Sequence, residues 1–386
     1  MNICIVIPYF YPAIVYGGPV FSSKHTVQEL AKISDNKIVV ATTNANGKSR
    51  LFKSEQTALN SSNIYINYYN DNFIGRFSFP MMFLLWREIY WSDVVHIQTL
   101  FSPSTFFALF YSRIFRKKIV LSPRGSLGEW CLNQGSSLKP IWLKYFIKPL
   151  LSNVIWHATA ELESNEIKKV FHNADVKIIP NGIDLSAYSD VDNEKDKMFY
   201  KKYDNDISCG ERIIVSMGRI QKKKGFDILI KSIKNLITSG ERVKLFIAGE
   251  DEGELEFLES LVLSNELTNN VFFIGQIKDK EKVKFLSNAD IFVLPSHNEN
   301  FGNVYLESLA SGTPIIASLD TPWNDVNQKF CGIHTSNEVI NITNAIQKIL
   351  SLSSDKYNEM CINSKVFSKD FQWSSIAKEF HELFKG

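Results

Sequence analysis

Short runs of β-branched and aliphatic residues recur along the chain, separated by stretches in which apolar residues return every three or four positions. In the first half Asn2–Ile7, Lys37–Thr42, Val94–Ile97, Lys118–Leu121 and Lys177–Ile179 read as strands. Most are apolar without alternation, the pattern of parallel strands covered on both faces. Val20–Ile33 is one of the helical stretches between them. This strand–helix rhythm predicts an α/β fold with doubly wound sheets.

The rhythm lapses over residues 185–211, which are polar and poor in aliphatic side chains and read as a linker or surface segment. It resumes with strand Arg212–Met217, helix Phe226–Thr238, strand Val243–Ile247, helix Glu254–Ser264, strand Val271–Ile274, helix Lys280–Asn288, strand Ile291–Leu294, helix Gly302–Ser311 and strand Pro314–Ala317. Two sheets in two domains are the expectation, and 386 residues are enough to give each its own core. Beyond Glu338 the pattern is mostly helical, and Trp373, Ile376, Phe380 and Phe384 fall near helical spacing.

Composition narrows the class. With 45% apolar and 22% charged residues the chain reads as globular, neither disordered nor fibrous. Cys4, Cys131, Cys209, Cys331 and Cys361 are scattered, odd in number and form no CxxC, which predicts no structural zinc and a reducing, cytoplasmic setting. The opening MNICIVIPYF lacks a basic leader and reads as a first strand rather than a signal peptide. No apolar run reaches the roughly 18 residues that a membrane-spanning helix needs. The densest stretch, Phe79–Trp91, is broken by Arg87 and Glu88 and fits either a buried or an interfacial helix.

The net charge of +2 conceals an asymmetry. Residues 1–180 hold 19 Lys and Arg against 11 Asp and Glu, and the remainder holds 24 against 30. A basic half points to an anionic counterpart, for which a nucleic acid, a membrane surface and a phosphorylated lipid all qualify. The basic residues form no aromatic-interleaved face, which argues against nucleic acid. Arg113, Arg116, Lys117 and Lys118 form one basic cluster, suited to anionic lipid or simply to solvent.

Five motifs sit where a strand gives way to a turn. Gly17-Gly18, in YGGP, opens the first helix, where backbone amides can approach a phosphate or merely form a tight turn. It is not GxGxxG, so a dinucleotide enzyme gains little support. Gly218-Arg219, followed by Lys224-Gly225, supplies a planar cation and a point charge that together suit a diphosphate. Glu299 and Glu307 stand eight residues apart after the strand IFVLP. Between them Gly302, Asn303 and Val304 put amides at a helix N-terminus, an anion site. The two carboxylates are acceptors for paired hydroxyls of a sugar or ribose. Arg124, in SPRGS, projects from another strand end, and PNGID at 180–184 reads as interdomain architecture. The seven histidines show no metal-ligand spacing; His96 and His297 lie closest to the motifs.

Taken in order, YGG, SPRGS, IIPNGID, GRIQKKKG, IAGEDE and ENFGNVYLESLASGTPIIA resemble the retaining glycosyltransferase family four, of the GT-B fold, over essentially the whole chain. The resemblance implies two Rossmann-like domains facing across a cleft. It divides the chain into an acceptor-binding domain at 1–182, with the last helix 371–386 crossing back to it, and a nucleotide-sugar-binding domain at 183–370. Arg219 and Lys224 would hold the donor diphosphate, Glu299 the transferred sugar and Glu307 the ribose, with Gly18 near the phosphates or the reacting sugar. No metal or other cofactor is implied, and front-face attack would retain the anomeric configuration. Many members carry His-Gly where this chain has Arg124-Gly125; an Arg binds hydroxyls, phosphates or acids but is no general base near neutral pH. Thr321-Pro322-Trp323 resembles bacterial surface-polysaccharide enzymes, which implies a polyprenyl-diphosphate-linked glycan acceptor at the inner membrane face. A nucleotide-sugar 2-epimerase of the same fold, and a non-catalytic nucleotide- or glycan-binding module, are the alternative readings.

Overall fold

The computed structural model describes residues 1–33, 35–57, 59–72, 77–128, 131–132, 138–189, 191, 195–208 and 210–386; Cys209 lies outside them. The chain forms two compact units, one of Met1–Gly182 with Trp373–Gly386 and one of Ile183–Gln372.

The first unit is built on seven parallel strands: β1 (Asn2–Val6), β2 (Lys37–Thr43), β3 (Ile64–Tyr69), β4 (Val94–Gln98), β5 (Lys118–Ser122), β6 (Val154–Ala158) and β7 (Asp175–Ile178). Their order across the sheet is β3-β2-β1-β4-β5-β6-β7. Successive side chains of a strand alternate between faces. Ile3 and Ile5 therefore enter one core with Val27, Leu30, Ile376, Phe380 and Phe384. Cys4 and Val6 enter the other with Met81, Leu85, Ile89, Ala108 and Leu109. The first core is roofed by helices Gly18–Lys32 and Trp373–Lys385, the second by Phe79–Leu84, Trp86–Trp91 and Pro103–Ile114. Burying Phe380 and Phe384 contributes roughly 1.5–3 kcal/mol each, enough to fix the final helix on this sheet.

The second unit repeats the plan with six parallel strands: β8 (Arg212–Met217), β9 (Val243–Ala248), β10 (Val271–Phe273), β11 (Ile291–Leu294), β12 (Ile315–Ser318) and β13 (Gly332–Thr335). Their order is β10-β9-β8-β11-β12-β13. In both sheets the direction of winding reverses beside the first strand, the arrangement of Rossmann-like folds, whose ligands sit at that switch point beyond the strand ends.

Two sequence expectations change. The polar stretch 185–211 is not a free linker where it is described. Short turns at Leu185–Tyr188 and Lys197–Lys202 lay Tyr200, fully buried, against Phe246 and Phe285, and its hydroxyl donates to the Phe285 carbonyl. Strands β3, β6 and β13 also escaped the apolar-run criterion. β3 alternates as a sheet edge does, β6 carries His157 in its middle, and β13 is a four-residue edge strand.

Candidate functional site

In the second unit the motif residues gather beyond β8 and β11, the neighbours at the switch point. After β8 the chain turns through Gly218 and Arg219, makes a short turn at Lys222–Lys224, and enters helix Phe226–Thr238 at Gly225. Gly225 has φ +67°, and a Cβ there would lie 2.2 Å from the Pro295 carbonyl oxygen, so this close passage admits only glycine. The passage brings Lys224 beside Glu299, which follows β11. Lys224 Nζ donates to Glu299 Oε1, Ser296 Oγ donates to the same oxygen at 3.0 Å, and both charged side chains are largely buried. Burial alone would raise the Glu299 carboxyl. The Lys224 charge and hydrogen bond, with Lys223 and Ser296, outweigh that and hold it below the usual carboxylate range. The Glu299 carboxylate is thus ionised at neutral pH and held in place by Lys224 and Ser296.

Gly302 precedes helix Asn303–Ala310, so the amides of Asn303 and Val304 stand in its first turn, where the helix dipole favours an anion. Glu307, in the same helix, accepts from Lys282 Nζ at 2.6 Å. Lys282 lies on helix Asp279–Ser287 and was not singled out in the sequence; no local spacing links it to Glu307. Arg219 does not join the buried pair. Its Nη1 donates to Glu252 at 2.7 Å, and its side chain is exposed. Ser296 and Lys223 were likewise missed.

In the first unit Gly17 caps helix Gly18–Lys32 with φ 73°, beyond β1. Arg124 follows β5 with φ 57° and is half-buried. Its Nε and Nη2 donate to Gln98 Oε1 at 3.2 and 2.9 Å, and Nη1 donates to Asn181 Oδ1 at 3.2 Å. Burial pulls the guanidinium down to about 10, partly offset by Glu163, so Arg124 is cationic at neutral pH. Most of its fork thus ties two strand ends to the PNGID turn. His96 lies wholly in the core: its Nε2 is 2.7 Å from Ser122 Oγ, which is 2.7 Å from His157 Nδ1, while His157 Nε2 meets the Ile179 carbonyl at 2.8 Å. His297 is exposed beside Asn337, at 3.0 Å. Among the described residues no group of three or more His, Cys, Asp or Glu is arranged as a metal site.

A Rossmann-like sheet thus carries a buried Lys–Glu pair and helix-end amides at its switch point, groups whose chemistry suits an anion and hydroxyls. Residues 201–366 match the family described as glycosyl transferases group 1. It is 24% identical over 299 residues to the alpha-monoglucosyldiacylglycerol synthase of Streptococcus pneumoniae, covering 76% of this chain and 66% of that protein. It is 30% identical over 211 residues to the capsular polysaccharide biosynthesis glycosyltransferase CapM of Staphylococcus aureus, covering 53% and 54%. These matches thus span about half to two thirds of each relative. The crystal structure of Anabaena Alr3699/HepE in complex with UDP superposes with a TM-score of 0.75 at 17% identity, covering all of both chains. The fold is therefore GT-B.

Proposed function

We propose that the protein transfers a sugar from a UDP- or GDP-sugar to a glycan acceptor, with retention of configuration and without a metal ion. The observation that carries this is the buried Lys224–Glu299 pair beside the N-terminus of helix Asn303–Ala310. A diphosphate placed against Lys224 and the Asn303 and Val304 amides has its leaving-group charge met by fixed donors, the largest single contribution in many transferases. Arg219, whose side chain is exposed in its pair with Glu252, exchanges that partner for the diphosphate to complete the clamp. Glu299 accepts hydroxyls of the transferred sugar, and Glu307, sharing Lys282, accepts those of the ribose. In the first unit Gly17 and Gly18 open a helix N-terminus suited to an anion, and Arg124 orders its adjoining strand ends. In front-face attack the departing phosphate takes the acceptor proton, so no separate base is required.

The capsular relative and the HepE complex with UDP support this reading, and the glycolipid-forming relative supports a lipid-linked acceptor. A polyprenyl-diphosphate-linked glycan at the cytoplasmic face of the plasma membrane, in surface-polysaccharide assembly, is the acceptor proposed. No helix among the described residues is long and apolar enough to cross a membrane. The test is a thermal-shift screen of nucleotide sugars, followed by measured release of nucleoside diphosphate with lipid-linked acceptors. One donor raising the melting point, and turning over only with acceptor, is expected. Epimerised sugar without acceptor, or binding without turnover, would overturn the proposal.

A further inference from the structure

The helices over the second face of the first sheet carry two stripes on one segment. Met81, Leu85 and Ile89 recur every fourth residue and are buried. Phe79, Phe83, Trp86 and Tyr90 recur at intervals of four, three and four and point outward, 46%, 62%, 39% and 64% exposed. The stripe with the larger side chains is the one left in solvent. It continues onto neighbouring helices: Tyr90 packs edge-on to Phe115 at 5.3 Å, Tyr111 donates to the Met82 carbonyl at 2.8 Å, and Phe110 and Tyr145 are exposed beyond. So large an apolar surface marks an interaction site.

Its charge tells what it meets. Residues 94–160 contain eight Lys and Arg and a single acidic residue, Glu129. Cations flank the exposed rings: Arg87 lies 5.7 Å from the Trp86 ring, Lys117 5.7 Å from Tyr90, and Lys144 5.2 Å from Tyr145. The one acid within Phe79–Trp91, Glu88, is turned inward, accepting from Asn67 and Tyr69 at 2.6 Å each. A protein partner's surface mixes both signs. The fold thus interleaves amphipathic aromatics with lysine and arginine on one face, which the sequence alone did not reveal, and with Glu88 turned inward that face is complementary to anionic headgroups over hydrocarbon.

We propose that this face docks the protein on an anionic phospholipid bilayer, with Phe79, Phe83, Trp86 and Tyr90 at headgroup level and Arg87, Lys117 and Lys144 on the phosphates. The inference rests on the reading above that the protein works at a membrane, and names the surface that does so. It leaves Lys224, Glu299 and Arg219 untouched.

The test is co-sedimentation with vesicles of phosphatidylcholine alone or mixed with phosphatidylglycerol, with Trp fluorescence quenched by brominated acyl chains. Wild type should bind the mixed vesicles, bind phosphatidylcholine weakly, and release in high salt. Phe83→Ser/Tyr90→Ser should abolish quenching while retaining the melting point and nucleotide-sugar binding. Arg87→Glu/Lys144→Glu, which keeps the rings, should weaken binding at least tenfold, as about 1 kcal/mol per surface cation implies. Should the aromatic variant fold poorly, the charge variant decides. Wild type that ignores all vesicles overturns the membrane reading itself. Wild type that binds equally with both variants overturns this surface alone, as does light scattering showing a dimer that both variants dissociate.

Discussion

Lys224 and Glu299, 75 residues apart in sequence, share one hydrogen bond beyond neighbouring strands, and each is largely shielded from water. Removing one partner of such a pair leaves a buried charge uncompensated, which costs more than the pair itself contributes. Lys224→Met should therefore lower stability by roughly 3–5 kcal/mol, measured by urea titration, and lower kcat about 100-fold or more. Glu299→Gln should lose turnover with a smaller loss of stability.

The same pair carries an acid signature. Because the folded carboxyl titrates below its ordinary value, its contribution is complete above roughly pH 4.3 and lost as pH falls through the lower folded value. Stability of Glu299→Gln should fall less steeply than wild type below that pH. Equal slopes by calorimetry would show that Glu299 is not held ionised.

Arg219 makes the opposite case. Its pair with Glu252 is exposed on both sides, and such pairs contribute about 0–1 kcal/mol. Arg219→Ala should leave the melting point nearly unchanged yet weaken nucleoside diphosphate binding about tenfold by calorimetric titration, a charged hydrogen bond contributing roughly 1.5–3 kcal/mol. Unchanged affinity would remove Arg219 from the clamp.

Gly249 follows β9, and a Cβ there would stand 1.9 Å from the Gly218 carbonyl oxygen. Gly249→Ala should displace the turn bearing Arg219 and Lys224, costing about 1–3 kcal/mol and most of the nucleotide affinity. Gly210→Ala, whose Cβ would come no closer than 3.5 Å to the end of Arg242, is the control and should do neither.

The buried histidines predict a second acid transition, in the first unit. Burial, then the Arg124 charge, push His157 down to about 3, and burial, then His157 and Arg124, hold His96 well below its usual value. Above about pH 6.5 both are neutral whether folded or unfolded. Below it the unfolded chain takes up protons that the folded core refuses, so stability falls continuously toward pH 3, by up to about 1.4 kcal/mol per pH unit for each histidine. Hydrogen exchange should show protection of β4 and β6 falling between pH 6.5 and 4, and the slope should halve in His157→Gln.

Most of the fold could be read from apolar runs because parallel strands buried on both faces cannot hide. The edges could be read less well. β3 exposes Tyr65 and β13 is half-covered, so neither presents the run that signals burial. Tyr200 shows why 185–211 misled: one aromatic anchors a polar segment, and composition averages it away. Strand ends located Lys224 and Glu299, since a turn after a parallel strand is where ligands meet such a sheet. Lys282 and the Gln98–Arg124–Asn181 tie depend on distant segments meeting, which no local spacing encodes. Composition likewise left Phe79–Trp91 as either a buried or an interfacial helix, and burial shows one segment carrying both a covered and an exposed stripe.

The position of helix Trp373–Lys385 on the first sheet has a consequence for biosynthesis. During translation the ribosome delivers β1 to β7, then the entire second sheet, and only afterwards the residues that roof Ile3, Ile5 and His96. For that interval the nascent first sheet has an uncovered greasy side, sensitive to premature stop codons and dependent on holdases. A truncation just before Trp373 would therefore uncover the core of the first sheet while removing none of its strands.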